Sequence, residues 1–423
     1  MTEIIDIAII GGGASGLAAA ITAKRLSPKS RICVFEALDR VGKKLITTGN
    51  GRCNITNKNL SPNRFHGENP EFPQYALSKN AGVVTEEFFS SLGIPFIYEG
   101  DKGYPASLQA SSVVDCLRFE CDKLGVEVLT AHRITNITFK SPFTLSGDGF
   151  SHTAKAVICC TGLYSGGDKV GSDGGFFRLL KDKGFKTIKL SPSIVQLKTE
   201  TDFVKQLKGI KTDAVATLYR EGKKIKSEFG EVLFCDYGLS GPPILNISRE
   251  VGRSESKFFV SLDLFPSLKR EELQGLIETR IAKLPERTLE EFFTGMLNKR
   301  LGQVVLKFCG FKLGDSVSSL KPQDAQNIAN TLKDWRFKVL GNTGFLNSQV
   351  TAGGISTDEF SAKTLMSKRF GGLFACGELL DVDGDCGGFN LAWCWAGGIL
   401  AAEEAVLYIG ENYDNRKQRK TVT

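Results

Sequence analysis

The chain has 423 residues, 41% of them hydrophobic and 24% charged. That composition excludes a disordered, collagenous or coiled-coil chain, and at roughly 150 residues per domain it predicts two or three domains. The balance of 54 Lys and Arg against 47 Asp and Glu gives +7, too mild to be a nucleic-acid footprint by itself.

In chain order, Ile4 to Ile10 is an almost unbroken apolar run, the pattern of a buried parallel strand. Gly11-Gly12-Gly13-Ala14-Ser15-Gly16 follows, then an alanine-rich helix to Leu26 that Ser27-Pro28 stops. Arg31 to Phe35 is a second strand and ends at Glu36. Residues 41–57 read as a Gly/Asn/Thr-rich loop. Helices are expected over 75–92 and 107–124, and strands over 126–129, 134–139 and 156–160. Gly-rich loops then run to Gly175.

The pattern changes after about Leu190. Residues 193–265 show short strands with turn signals such as Glu221-Gly222. Residues 268–335 read as helices, with a capping box expected at Thr288-x-x-Glu291 and a helix opening at Lys321-Pro322. Gly-rich α/β character returns near Gly341. The division expected is 1–190 and 341–412 as two parts of one α/β domain, 191–265 as a β-rich insert, 266–340 as a helical insert, and 413–423 as a basic tail.

Gly11, Gly13 and Gly16 match G-x-G-x-x-G, a weak signal alone. Here the glycines follow a strand and open a helix, with Glu36 20 residues beyond Gly16. Gly11 allows the tight turn, Gly13 the approach of a pyrophosphate, Gly16 close helix–strand packing. The helix start offers N–H donors to phosphate, and Glu36 accepts from ribose hydroxyls. A carboxylate there opposes a 2′-phosphate, so the site suits FAD or NAD. Thr351-Ala-Gly-Gly, Gly377-Glu378 and Gly387-Gly388-Phe389-Asn390-Leu391 return much later. A strand ending in Gly-acid before a Gly-rich helix start suits the ribityl chain and the N1/O2 edge of a flavin. Gly166 to Gly175 does not match the spacing of a second dinucleotide site.

Residues 42–57, Gly-Lys-Lys-Leu-Ile-Thr-Thr-Gly-Asn-Gly-Arg-Cys-Asn-Ile-Thr-Asn, together with Tyr237-Gly-Leu-Ser-Gly-Pro242, Thr351-Ala-Gly-Gly354 and the 376–390 stretch, resemble the BaiN-like, or aminoacetone-oxidase-like, NAD(P)/FAD-dependent flavoproteins. The resemblance covers nearly the whole chain. It implies an α/β fold: a glutathione-reductase-type, Rossmann-like FAD-binding domain, discontinuous, with inserted β-rich and helical units. It implies non-covalent FAD held by Gly11, Gly13, Ala14, Ser15, Gly16, Glu36 and Ala37. Lys43, Lys44, Thr48, Gly49, Gly51, Arg52, Cys53 and Asn54 belong to the same set, as do Ile134, Thr161 and Gly162. Gly377, Glu378, Gly387, Gly388, Phe389, Asn390 and Leu391 complete it. Cys160-Thr161-Gly162-Leu163 departs from the family's Ala-Thr-Gly-Gly, and Cys235-Asp236 stands where the family has Thr-His.

Arg52 has the chemistry to pair with a phosphate, a substrate carboxylate or reduced flavin, or to clamp its own loop. Cys53 reads as a redox thiol or, more simply, a small packing residue. Tyr237 is a candidate wall over the ring. These three are the catalytic candidates. Trp393 and Trp395 read as packing.

The expected activity is hydride exchange between a small organic substrate and flavin N5, with NAD(P)H as a transient co-substrate. An oxidase of an amine or amino ketone is the alternative, and an RNA-directed flavoprotein the remote one. Eleven Cys without C-x-x-C and three His at no ligand spacing predict no metal site and suit a reducing cytosol. Neither a signal peptide nor a membrane span is expected.

Overall fold

The computed structural model describes residues 4–80, 83–253 and 256–421. It divides the chain into two compact units, residues 1–191 with 349–423, and residues 192–348.

The first unit is Rossmann-like. β1 (Ile5–Ile10) leads into α1 (Ala14–Leu26) and β2 (Ile32–Phe35). α2 (Ala110–Leu124), β3 (Glu127–Leu129), β4 (Phe150–Cys159), β5 (Leu373–Ala375) and α3 (Phe389–Thr421) follow. The parallel strands lie in the order β3-β2-β1-β4-β5, with Cys33 opposite Glu127, Ile7 opposite both Ile32 and Ala156, and Val157 opposite Leu373. β1 sits centrally and reads apolar because both its faces are covered. The early half of β4 pairs antiparallel with Phe143–Gly147, itself paired with Asn136–Thr138. Ile134 and Phe139 fall outside that short strand.

Helix 75–92 is two helices, Gln74–Asn80 and Val83–Ser91, with residues 81–82 outside the described ones. The 41–57 loop carries a helix at Lys43–Thr47, a 3-10 turn at Thr48–Gly51 and a strand at Thr56–Asn57. Gly175–Asp182 is an additional helix, rooted by buried Phe176, Phe177 and Leu180. The basic end continues α3 as helical backbone to Thr421, and residues 422–423 lie outside the described ones.

The second unit is built on a closed barrel. Its strands run Leu197–Thr199, Gly238–Ser240, Lys223–Phe234, Lys211–Arg220, Phe258–Asp263 and Trp335–Asn342, back to the first. Closure pairs Leu197 with Leu239 on one side and Asn342 on the other, leaving no free edge. The Glu221-Gly222 turn joins the two longest strands. Helices Arg270–Lys283, Lys299–Phe308 and Pro322–Lys333 share the barrel's core through Leu273, Ile277, Leu301, Val305, Ile328 and Leu332.

Two expectations change here. Trp335–Asn342, read as the end of the helical stretch and the chain beyond it, is a barrel strand whose Trp335 and Phe337 are buried and whose Arg336 and Lys338 are exposed. That period of two marks a strand. Thr288 heads only a 3-10 turn and makes no side-chain cap. The reciprocal carboxylates sit elsewhere: Glu272 accepts from the Lys269 amide at 2.7 Å and Asp324 from the Lys321 amide at 2.8 Å.

Candidate functional site

The parallel strands of the first unit end together, and their loops form the site. The Gly11 amide donates to Phe35 O at 2.8 Å, closing the turn after β1. A Cβ on Gly16 would collide with the Gly11 carbonyl oxygen, so only glycine lets α1 start this close to the turn. A Cβ on Gly13 would meet nothing within 4 Å. The turn is therefore tight against the protein at Gly16 and open at Gly13, the side on which a pyrophosphate lies in such folds.

Glu36 stands at the end of β2. Its Oε2 accepts from the Gly12 amide and its Oε1 from the Leu38 amide, each at 2.8 Å. It forms part of the wall of a cavity of about 390 Å³ with Gly11, Ala37, Ile134, Thr161 and Gly162. Ala14 and Ser15 open α1, and Ser15 packs against Gly377, where a Cβ would strike the Ser15 hydroxyl. Residues 11–16 and 377 are thus neighbours despite their separation in sequence.

Glu378 lies 334 residues from Lys44 and is ion-paired with it. Its other oxygen accepts from the Thr351 amide at 2.9 Å. Lys43 instead pairs with Asp39 at 2.6 Å, four residues back. Residues 43–47 are a short helix rather than a loop.

The 48–57 segment lies against 387–388. The Asn57 amide group donates to Gly387 O at 2.8 Å, and Trp395 Nε1 donates to Ile55 O at 3.1 Å. Gly388, at φ +99°, has no room for a Cβ beside Thr56 O and Asn54 Oδ1. Gly49 and Gly51 also take positive φ, and the Thr48 hydroxyl donates to Leu45 O at 2.6 Å. Three buried polar atoms on this strip have no protein partner: Arg52 Nε, Asn54 Oδ1 and Thr56 Oγ1. A buried polar atom without a partner costs about 1–3 kcal/mol, so their clustering fits a polar ligand that satisfies them. Thr56 was not among the residues expected from sequence.

Arg52 is ion-paired with Glu99 and its guanidinium carbon sits 4.4 Å from the Tyr104 ring centroid. Cys53 is fully buried, and burial pushes its thiol up to about 12. A thiol held neutral this way is a poor nucleophile, and the side chain is packed in the core of the first unit. Phe389 packs edge-on against Phe65 at 6.0 Å, and Leu391 is half-buried against the core. Asn390 turns back onto its own loop, accepting from the Gly384 amide at 2.8 Å and donating to Gly384 O at 2.9 Å. It shapes the loop before α3.

Trp393 Nε1 donates to Gly377 O at 3.1 Å, so this packing residue also fixes the Gly-acid turn. Tyr237 belongs to the second unit, between Lys223–Phe234 and Gly238–Ser240. It is half-buried, and burial followed by a hydrogen bond with Cys235 pushes its phenol upward.

The cavity has a far side that sequence reading missed. His132, Arg133 and Thr135 form one part and the stretch from Gly171 to Leu179 another. The Gly166–Gly175 run was the available signal, and its Gly171, Gly174 and Gly175 line this cavity.

These residues fit FAD as an elongated ligand. Glu36 and the cavity suit the adenosine end, the Gly11–Gly16 turn the pyrophosphate, and the orphaned atoms of 52–56 with the Gly387–Gly388 turn the flavin end. Among the described residues no group of three His, Cys, Asp or Glu gathers as a metal site, and no helix is long and apolar enough to cross a membrane.

Comparison with known proteins places the chain further. The sequence profile of the HI0933-like protein Rossmann domain matches residues 5–404. A 3-dehydro-bile acid delta(4,6)-reductase of Clostridium scindens is 35% identical, over 94% of this chain and 98% of that protein. Ribosomal RNA dihydrouridine synthases of Haemophilus influenzae and Escherichia coli are 28% and 27% identical, over 95% and 96% of this chain and 98% of each.

Proposed function

The chain belongs to the HI0933-like family, and from that premise we propose that this FAD-dependent oxidoreductase reduces a carbon–carbon double bond conjugated to a carbonyl group, with electrons supplied by NADH or NADPH. One observation carries the reading. The relatives aligned along nearly the whole chain are named for two reactions, delta(4,6)-reduction of a 3-dehydro-bile acid and formation of dihydrouridine. Both add two hydrogens across a double bond that a carbonyl polarises.

Bound FAD supplies hydride chemistry at N5. The protein's part is to hold and orient. Glu36 receives ribose hydroxyls, and the Gly13 side of the turn receives the pyrophosphate. The Lys44–Glu378 pair brings a fixed positive and negative charge to the junction of the cofactor's halves. Arg52, braced by Glu99 and Tyr104, keeps a cation beside the flavin end. A cation there stabilises negative charge that develops on a reduced ring or on a substrate carbonyl oxygen. The nicotinamide donor visits this face transiently, in keeping with a first unit built on a single G-x-G-x-x-G turn.

A second reading takes a uridine in RNA as the substrate, favoured by the two dihydrouridine synthases among the full-length relatives. Stopped-flow absorbance near 450 nm tests both. The flavin-loaded protein is mixed anaerobically with NADH or NADPH, then with a 3-oxo-4,6-diene steroid, a uridine-containing RNA, or air. Bleaching by a nicotinamide with recovery on the steroid supports the first reading. Recovery on the RNA alone supports the second. Indifference to both nicotinamides, with bleaching by an amine and fast recovery in air, overturns both in favour of an oxidase.

A further inference from the structure

One part of the cavity's lining is tied together by a side-chain network. Asp173 is ion-paired with Arg133, and both residues line the cavity. Its Oδ1 also accepts from the Gly175 amide at 2.8 Å. Arg178 Nη1 donates to Asp173 O at 2.9 Å and to the Tyr164 hydroxyl at 2.7 Å. The network joins the loop after β3 to the start of helix Gly175–Asp182, two segments 40 residues apart.

Stability is a weak reason for this network. The Arg133 side chain is 45% exposed and that of Asp173 27%, and ion pairs so exposed contribute little. The helix is already rooted by Phe176, Phe177 and Leu180. The network's position is the better clue. Arg133, Asp173 and Arg178 line the same cavity as Glu36, together with apolar Ile134 and Leu179. A ribose held by Glu36 would leave its base in this cavity. Apolar side chains and guanidinium planes are what the faces of a purine ring select.

We infer that Arg133, Asp173, Arg178 and Tyr164 form a latch over the adenine end of FAD, which selects FAD over FMN and slows its release. This rests on FAD as the cofactor and goes beyond it by assigning retention and selectivity to residues outside the glycine motifs. FMN lacks the adenosine half and cannot engage the latch. The four are positioning residues and take no part in the chemistry.

The test is flavin affinity and release. Asp173→Asn keeps an acceptor for the Gly175 amide but loses the charge facing Arg133. Arg178→Met keeps the side chain's stem and loses both hydrogen bonds. Full-length protein is stripped of flavin and titrated with FAD and, separately, FMN by fluorescence quenching, and FAD release from the loaded protein is followed on dilution. The expected result is FAD affinity weaker by about tenfold or more in each variant, with release faster to match and FMN affinity within about twofold of wild type. Unchanged FAD affinity overturns the latch. Parallel weakening of both flavins also overturns it, because that marks general damage. Should Asp173→Asn not fold, Arg178→Met decides alone. A wild-type protein that takes up neither flavin removes the cofactor itself, and the latch with it.

Discussion

The sulfur atoms of Cys160 and Cys376 lie 3.4 Å apart in the core of the first unit, each one residue beyond the end of a neighbouring parallel strand. The Cys376 amide donates to Cys159 O at 3.1 Å. The residues that follow after the two strands are Thr161-Gly162 and Gly377-Glu378, so the two distant parts of the unit meet immediately behind the site. Cys160 is accommodated as a small apolar side chain, its thiol pushed well up by burial and by Cys376.

Thiol labelling checks that arrangement. At pH 8 the native protein should keep Cys53, Cys121, Cys159 and Cys160 unmodified by a maleimide while Cys116 reacts, since the first four are buried and Cys116 is only partly covered. Unfolding in guanidinium should release them all. Peptide mass spectrometry reads each site, and Cys53 reacting as fast as Cys116 would show its loop to be open.

The same burial gives an alkaline dependence of stability. Burial pushes the Cys33, Cys53 and Cys121 thiols up to about 12. In the unfolded chain they ionise near 9, so the unfolded state gives up protons first as pH rises. Their contribution is complete below about pH 9 and is lost progressively toward pH 12, on the order of 1 kcal/mol per thiol for each pH unit. Urea midpoints at pH 8 and 10.5 should therefore differ, and less so in Cys121→Ala. Equal slopes in the two proteins would exclude the thiol's part.

Two glycines of one motif should behave differently. Gly13→Ala adds a Cβ where the protein has only open space, so the melting temperature of the flavin-free protein stays close to wild type while FAD binding drops. Gly16→Ala drives a Cβ into the Gly11 carbonyl oxygen and destabilises the fold by about 1–3 kcal/mol. Melting curves with and without FAD separate the two, and a Gly13→Ala protein with undiminished FAD affinity would place the pyrophosphate elsewhere.

Glu36→Gln tests the ribose site. The amide retains one acceptor for the Gly12 or Leu38 amide and gives up the charge. FAD affinity should weaken by about tenfold, the loss of one charge-assisted hydrogen bond. Fluorescence titration measures it, and affinity matching wild type would show that Glu36 serves only the backbone.

Arg52→Met asks whether Arg52 clamps its loop or acts on the flavin end. Its partner Glu99 is about half exposed, so breaking that pair should leave the melting temperature nearly unchanged. Flavin reduction by the nicotinamide donor, or reoxidation by substrate, should slow by at least about tenfold. A large fall in melting temperature with unaltered rates would make Arg52 a loop clamp.

The sequence by itself determined the strand-turn-helix-strand unit of residues 5–36, because every spacing in it is local. An apolar run is a buried strand, glycines mark where backbone must come close, and an acid at the next strand end faces the same turn. It also marked the turn at Glu221-Gly222, which the structure makes a hairpin, and the helix opened by Pro322. Side-chain orientation was less legible. Nothing in the spacing of Lys43 and Lys44 separates a lysine bound to Asp39 from one bound to Glu378, since the difference is a short helix and a partner 334 residues away.

Tertiary structure alone decided which distant segments meet. It brought Asn54 and Thr56 against Gly388, closed the barrel with Trp335–Asn342, and set Asp173 opposite Arg133. Apolar periodicity states which face of a segment is buried. Which other face it is buried against depends on how the sheets close and the helices pack, and that choice places the polar ends of loops where a ligand can use them.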